Sequence, residues 1–350
     1  MENLLKEPRR AFALTDADKA SLTMSASGGA FAVFARAVLA QGGVVFGAES
    51  LDDGTVCHVG ITTLKELPKL QGSKYVWSDL GTSIDRCIEA LSEGRNVLFS
   101  GVPCQIAVLN AKIQKANLSE SQKERLITCD LICHGTPSAD LYKAYIKWLS
   151  ERLNADDGVH GYRFRTKYFG WGLYYYYYYY YRNSKKVEVW GGAGDDPYYF
   201  AFSKGGIYRA CCYSCKFAQR MRPGDFTIGD FWGVKERIPG AYDSDGVSAV
   251  LANTEKAEKF LEQLALSSDC RIAETTFEAV SDRQTNLSAP TSRTEEDERL
   301  AAKIDDALAS GEISKIFEEY LSIDMGWKAR LRRILPPRFL RIIYARRNAG

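Results

Sequence analysis

Four cysteines in this sequence are placed where they could bind a metal ion or an iron–sulfur cluster. Cys104 and Cys133 each follow a predicted buried strand. Because the turns beyond the carboxyl ends of parallel strands share one edge of a sheet, we expect these two thiols to face each other. Cys212 and Cys215 form a C-x-x-C pair, a spacing that lets two thiolates bind one metal or one cluster corner. Four sulfurs suit either tetrahedral zinc or a [4Fe-4S] cluster, and spacing alone does not separate the two.

The other cysteines have different expected roles. Cys211 adjoins the pair and is a rival to Cys212 as a ligand. Free cysteine is commonly buried, so packing roles are predicted for Cys57, Cys87, Cys129 and Cys270. Next to Cys133, His134 is predicted to form hydrogen bonds beside the site rather than to ligate directly.

A second candidate site lies near the start of the chain. The segment Ser25-Ala26-Ser27-Gly28-Gly29 opens a predicted helix, where backbone N–H groups and hydroxyls would suit a pyrophosphate; the same segment also suits an ordinary helix cap. The predicted loop Gly72-Ser73-Lys74-Tyr75 adds a lysine and an aromatic residue. On its own, this segment is equally typical of a surface turn. The candidate binding residues of both segments are Ser25, Ser27, Gly28, Gly29, Gly72, Ser73, Lys74 and Tyr75.

Strands alternate with helices over residues 21–155. Apolar residues recur at helical spacing from Phe31 to Leu39 and are followed by a short apolar run. Two further strand–turn–helix units begin at Asn96 and at Leu126. This alternation predicts an α/β fold with a mainly parallel sheet.

The pattern changes after residue 155. Residues 156–255 are predicted to be β-rich, antiparallel and aromatic, and residues 256–324 to be helical, which makes the chain α+β overall. The eight consecutive tyrosines from Tyr174 to Tyr181 read as a two-faced strand or as a ring platform for a planar ligand. Residues 1–20 carry little apolar periodicity and are predicted to be a tail or a loosely docked arm.

The charges are distributed unevenly. The net charge is +2, but residues 325–350 contain eight basic side chains and no acidic one, which leaves 38 basic and 44 acidic residues in the body. An acidic body argues against nucleic acid as a partner. The basic tail suits an anionic membrane surface, or else a solvated or partner-docking segment.

The location is predicted to be cytoplasmic. No apolar run approaches the roughly 20 residues of a membrane span, and the first ten residues lack the apolar core of a signal peptide. Nine cysteines in the reducing cytosol are not expected to form a disulfide framework. Attachment to the inner face of the membrane would come through the tail.

Seven segments resemble, in order, motifs of the coenzyme F420 hydrogenase/dehydrogenase β-subunit family: SASGGAF, LQGSKYVWSDLG, VLFSGVPCQIAVL, CDLICHGTPS, GWG, YRACCYSCKFA and DFTIGDFWG. The resemblance covers roughly Ser25 to Asn253. The resemblance implies an oxidoreductase that passes electrons between FAD and a neighbouring [4Fe-4S] cluster. By position it makes cluster ligands of Cys104, Cys133, Cys212 and Cys215. Lys74 and His134 are the candidate catalytic residues, and the charge of Lys74 would favour an anionic reduced flavin.

The resemblance also bears on partners. Many relatives begin with a cysteine-rich ferredoxin-like segment, whereas the first cysteine here is Cys57. Electrons are therefore expected from a separate protein such as a ferredoxin. The tail resembles that of bacterial relatives associated with surface polysaccharide synthesis, which implies a small-molecule or glycan-related substrate. The alternative is a zinc-stabilised, non-catalytic binding module that docks to a membrane-associated assembly.

Overall fold

The computed structural model describes residues 5–323, so the predicted basic tail at residues 325–350 lies outside the described residues. The strands are β1 (Arg10–Asp16), β2 (Val44–Ser50), β3 (Val56–Ile61), β4 (Val97–Gly101), β5 (Leu126–Leu131), β6 (Val159–Thr166), β7 (Tyr175–Arg182), β8 (Lys185–Gly192), β9 (Phe226–Asp230), β10 (Ser248–Ala252) and β11 (Cys270–Thr275). The helices are α1 (Lys19–Met24), α2 (Ala30–Ala40), α3 (Leu67–Leu70), α4 (Ser83–Ser92), α5 (Pro103–Lys115), α6 (Glu120–Lys123), α7 (Ala139–Leu153), α8 (Pro197–Lys204), α9 (Val234–Arg237), α10 (Glu255–Ala265), α11 (Phe277–Ser281), α12 (Glu295–Ser310) and α13 (Ile313–Lys315).

Eight strands form one mixed sheet in the order β11-β1-β10-β9-β5-β4-β2-β3. The four central strands β9, β5, β4 and β2 are parallel to one another. Antiparallel strands complete the sheet on both sides. The predicted α/β class with a parallel centre is confirmed, and the carboxyl ends of β4, β5 and β9 lie side by side.

Helices cover both faces of this sheet because its strands alternate their apolar side chains. Val45 and Leu98 pack into a core with α2 and α10, whereas Val44, Phe46 and Val97 pack into a second core with α4 and α5. Burial on both faces is the usual environment of parallel strands. The three layers leave the strand ends open to ligands.

Strands β6, β7 and β8 form a separate antiparallel sheet, as predicted for the aromatic region. The tyrosine run supplies β7, and Tyr176, Tyr178 and Tyr180 are buried in a core shared with α7 and α8. Period-two alternation places the intervening tyrosines on the more exposed face. The tyrosine run is thus chiefly a strand with one buried and one more exposed face. Tyr174, the first tyrosine of the run, precedes this strand.

Part of the chain's organisation differs from the prediction. Residues 10–16 do not belong to a tail, because they form β1, which lies inside the main sheet between β10 and β11. Its small apolar residues Ala11 and Ala13 pack on one face while Phe12 and Leu14 pack on the other, which conceals any amphipathic pattern. The region from 256, for which helices were predicted, also contains the strand β11, which pairs with β1 at the sheet edge.

Within residues 5–323, no helix combines the length and the apolar character needed to cross a bilayer.

Candidate functional site

The candidate site is built on the carboxyl ends of the central strands. Helix α5 begins directly after β4 and carries Cys104 in its first turn. Cys133 comes two residues after β5, and Trp232 two residues after β9. Adjacent parallel strands therefore deliver these side chains to one edge, where ligands of open α/β sheets bind.

The four predicted cysteines come together at this edge. Burial and the neighbouring thiols Cys215 and Cys212 raise the pKa of Cys104 to about 11. Burial and the thiols Cys104, Cys212 and Cys215 raise the pKa of Cys133 to about 12. Such mutual repulsion requires proximity, so the tertiary structure unites residues that are up to 111 positions apart in the sequence.

Backbone N–H groups face two of these sulfurs. The Gly135 N–H donates to Cys133 and the Thr136 N–H donates to Cys212, and each contact opposes the rise in pKa that burial causes. Gly135 has φ 135°, and a Cβ there would lie 2.3 Å from the Tyr208 ring. Glycine therefore fits a turn that brings its N–H to the sulfur.

The rival cysteine is distinguished by its exposure. Cys211 is exposed, whereas Cys212 is half-buried and lies within the electrostatic reach of Cys104 and Cys133. Of the four cysteines with predicted packing roles, Cys87, Cys129 and Cys270 are buried and Cys57 is half-buried.

Arg222 connects Cys133 with the C-x-x-C pair, two parts of the four-cysteine site. Its guanidinium is 1% exposed and bonds Asp130 Oδ1 at 2.7 and 3.1 Å. The same group donates to the carbonyls of Leu131, just before Cys133, and of Phe217, just after the C-x-x-C pair. The Arg209 N–H adds a backbone bond of 3.0 Å to the Thr136 carbonyl. Cys133 and the C-x-x-C loop are thereby held to each other.

Among the described residues, no three His, Cys, Asp or Glu side chains stand close enough to hold a single metal ion. Four thiolates around one zinc would lie about 3.8 Å apart, given Zn–S bonds of about 2.3 Å. A cubane cluster instead binds each cysteine through a different iron. The all-thiol donor set fits a cluster by its chemistry.

A cavity of about 640 Å³ opens beside the thiols and falls in the size range of small-molecule sites. Nine of the predicted site residues line it: Ser25, Ser27, Gly29, Gly72, Ser73, Lys74, Tyr75, Cys133 and His134. Partial desolvation lowers the pKa of His134, and nearby Asp230 opposes that effect. Cys133 belongs both to the cavity wall and to the set of four cysteines.

The loop before α2 uses the hydroxyl groups of its serines in contacts within the protein. The Ser27 hydroxyl donates to the Val247 carbonyl at 2.8 Å and the Ser25 hydroxyl to the Ser21 carbonyl at 3.0 Å, so both are engaged within the protein. Gly28 packs away from the cavity, where a Cβ would lie 2.2 Å from the Leu14 carbonyl oxygen. Gly29 has φ 84° and caps α2 without a side chain.

Three cations surround this loop. Lys74 Nζ donates to the carbonyls of Lys69 and Gln71, Arg163 Nη2 to that of Met24, and Lys167 Nζ to those of Leu22 and Ser27. None of the three has a carboxylate within 4 Å among residues 5–323. Burial lowers the pKa of Lys74 and of Lys167 to about 7. This end of the cavity thus holds three basic groups that have no directly bonded carboxylate among the described residues, an arrangement that suits an anion.

A neutral polar network lines another part of the wall. His58 Nε2 donates to the Ser100 carbonyl and its Nδ1 accepts from the Ser78 hydroxyl, both at 3.0 Å. Gln105 Nε2 donates to the Ser78 carbonyl at 2.9 Å. Burial lowers the pKa of His58 to about 4, so the imidazole is uncharged at neutral pH.

Several residues of this cavity are not among the predicted site residues. Asp230 ends β9 and Trp232 follows it, so both lie at the carboxyl end of a strand, as Cys104 and Cys133 do. Arg165 and Tyr199 also line the cavity, but they lie in aromatic segments without a distinguishing pattern. Only the packing of β6 and α8 onto the main sheet brings them there.

A parallel-centred sheet with a large cavity at its carboxyl edge defines a ligand-binding α/β protein. Residues 94–276 match the family that is described as the C terminus of the "Coenzyme F420 hydrogenase/dehydrogenase, beta subunit". The chain belongs to this family, which confirms the resemblance of its motifs and classes it with the oxidoreductases. A search of curated proteins gave no match.

One solved structure with this fold comes from the F420-reducing [NiFe] hydrogenase complex of Methanosarcina barkeri. The alignment has a TM-score of 0.52 and 20% identity, and it covers 93% of this chain and 97% of that chain. At this identity the likeness establishes the shared fold. The superposed protein is one chain of that hydrogenase complex.

Proposed function

We propose that this chain is an iron–sulfur flavoprotein oxidoreductase that binds a flavin (FAD) in the cavity and a [4Fe-4S] cluster on Cys104, Cys133, Cys212 and Cys215. One observation carries the proposal: Cys133 belongs at once to the wall of the cavity and to the group of four thiols. A ligand in the cavity would therefore lie against a cluster ligand. When bound, a flavin and a cluster together interconvert two-electron and one-electron chemistry.

The surrounding residues would position and tune these groups. Lys74 and the cations behind it would neutralise the phosphates of the nucleotide. The N–H groups of Gly135 and Thr136 would donate to the cluster sulfurs, and such donors set cluster potentials. His134, at the cavity opening, would exchange protons with solvent as the bound ligands change charge.

Anaerobic purification tests the proposal directly. We expect brown protein with about four iron and four sulfide per chain, together with released FAD identified by chromatography. Cys212→Ser should lose most of the iron, and Cys211→Ser, the matched neighbour, should keep it. Colourless protein with stoichiometric zinc would instead favour the non-catalytic binding module.

The proposal extends to the partners. A separate carrier such as a ferredoxin would exchange electrons at the solvent-facing side of the four-cysteine site, where Cys211 and Lys216 are exposed. The substrate would be a small or glycan-related molecule of surface polysaccharide synthesis, and the reaction would take place in the cytoplasm, with the basic tail on an anionic membrane. Co-sedimentation with anionic liposomes, before and after truncation at Asp324, tests the membrane contact.

A further inference from the structure

One end of the cavity is walled by aromatic rings. Tyr75 stacks on Phe202 with ring centroids 4.1 Å apart and an interplanar angle of 16°. Trp232 stacks on Trp171 with centroids 5.3 Å apart and an angle of 7°. Tyr174 lies 6.0 Å from Trp232. Flat, paired rings of this kind offer faces on which a further ring stacks.

This aromatic end is electrostatically balanced. Arg165 is buried, but its guanidinium bonds both carboxylate oxygens of Asp230 at 3.1 and 3.2 Å and the Tyr75 hydroxyl at 3.1 Å. The guanidinium also stacks on the Tyr174 ring at 4.7 Å. Because the charge of Arg165 is already matched, this end suits an uncharged ring rather than a phosphate.

Tyr199 points to a specific contact at this end. Its side chain is fully buried and lines the cavity, and its hydroxyl has no hydrogen-bond partner within the described chain. Burial raises the pKa of the phenol, so the hydroxyl keeps its proton. A buried donor without an acceptor is costly to the fold, and an acceptor atom on a ligand would remove that cost.

Tyr174 adds an independent sign of function. It has φ 43°, a left-handed backbone conformation that is rare for a bulky residue, and its side chain is 42% exposed at the cavity. Strain of this kind persists where the surrounding structure enforces it, and it clusters at ligand sites. Here it holds the Tyr174 ring against Arg165.

We propose that the aromatic end binds a planar, uncharged ring and that Tyr199 Oη donates a hydrogen bond to a carbonyl oxygen or ring nitrogen of that ring. The ring can belong to the flavin, a source that rests on the proposed function, or to the substrate with which the flavin would react. Both sources share the same chemistry, and ring compounds that lack phosphate separate them.

The test compares wild type with Tyr199→Phe after removal of any co-purified flavin. Lumiflavin represents the flavin ring and duroquinone, which is fully substituted and resists thiol addition, represents a substrate ring. Binding is measured by quenching of tryptophan fluorescence. We expect Tyr199→Phe to weaken at least one of the two affinities roughly fivefold to tenfold, as expected for one lost hydrogen bond.

Tyr142→Phe is the matched control. Tyr142 is a buried tyrosine whose hydroxyl bonds Ser50, and it lies outside the cavity lining. It should bind both rings like wild type and melt at a lower temperature, whereas Tyr199→Phe should melt at the same or a higher temperature. These opposite effects distinguish a donor reserved for a ligand from one that stabilises the fold.

The outcomes also separate this inference from the proposed function. Weaker lumiflavin binding alone identifies the flavin ring, and weaker duroquinone binding alone identifies a substrate ring. Equal affinities of Tyr199→Phe and wild type for both compounds, or no binding by wild type, would overturn the inference. If wild type binds no FAD while duroquinone binding still depends on Tyr199, the proposed function fails and the ring site stands.

Discussion

Lys74 is half-buried in the lining of the cavity, and its ammonium group donates only to the carbonyls of Lys69 and Gln71 among the described residues. Desolvation and the nearby Arg163 lower its pKa to about 7. The group is thus half-protonated near neutral pH, and a bound anion would favour its charged form. Its charge state links anion binding at this end of the cavity to pH.

We predict that the affinity for inorganic pyrophosphate and for FAD falls between pH 6 and pH 8, because Lys74 and Lys167 both lose their protons near pH 7. Lys74→Met should weaken binding at pH 6 about tenfold and flatten the pH dependence, as measured by calorimetric titration. Lys112→Met, at an exposed lysine of α5, is the control and should behave like wild type. An unchanged pH profile in Lys74→Met would contradict the assignment.

The same shift affects folding in a definite direction. Between about pH 7 and the ordinary lysine value of 10.5, the unfolded chain holds a proton on Lys74 that the folded chain has released. The contribution of this group to the free energy of unfolding therefore increases with pH across that interval. Below pH 7 the burial of the charged form opposes folding in full.

At the scale of elements, the turn before α2 depends on how closely β1 and β10 approach it. A Cβ on Gly28 would lie 2.2 Å from the Leu14 carbonyl oxygen and 2.3 Å from the Ser248 nitrogen. Both neighbours are sheet backbone and cannot move aside without breaking the ladder. Gly28 therefore serves the site indirectly, by letting the loop lie against the sheet.

Gly28→Ala is predicted to lower the free energy of unfolding by roughly 1–3 kcal/mol, the usual range for overpacking, and to weaken FAD binding through displacement of the loop. Chemical denaturation and FAD titration measure the two effects. Gly240→Ala is the control, because a Cβ there would have no atom of residues 5–323 within 4 Å. Equal stability of the two variants would show that the loop tolerates displacement.

At the scale of the whole molecule, the arrangement of the four cysteines depends on a buried ion pair. Arg222 and Asp130 are almost fully buried, and Arg222 bridges the end of β5 to the loop after the C-x-x-C pair. A buried charge that loses its partner is strongly destabilising. The two halves of the proposed cluster site would lose their connection at the same time.

Arg222→Met should therefore reduce the free energy of unfolding by roughly 3–5 kcal/mol and release iron from anaerobically purified protein. The matched control is Arg220→Met, two residues away, whose exposed pairs with Glu7 and Glu278 should contribute less than about 1 kcal/mol. Denaturation curves and iron analysis compare the two. Full iron retention in Arg222→Met would exclude a role for the pair in positioning the cysteines.

Much of the fold was predictable from local patterns. The strands at Val97 and Leu126 and the helices after them carry strong apolar periodicity, and the structure has them within a few residues of the predicted bounds. β1 was not predictable, because its alanines and polar ends resemble a tail. Its strand conformation is stabilised by pairing with β10 and β11, more than 230 residues away.

The sequence by itself determined which chemical groups are available and where each follows a strand, because side-chain identity and period-two or period-3.6 burial are local properties. That is why the cysteines, the Ser25–Gly29 segment and Lys74 could be named in advance. Only the tertiary structure decided that Cys133 borders the same cavity as Lys74. It also decided that Tyr199 lines this cavity with a hydroxyl that has no hydrogen-bond partner among residues 5–323. Such convergence depends on how separate sheets and helices pack over long range, and no local pattern encodes it.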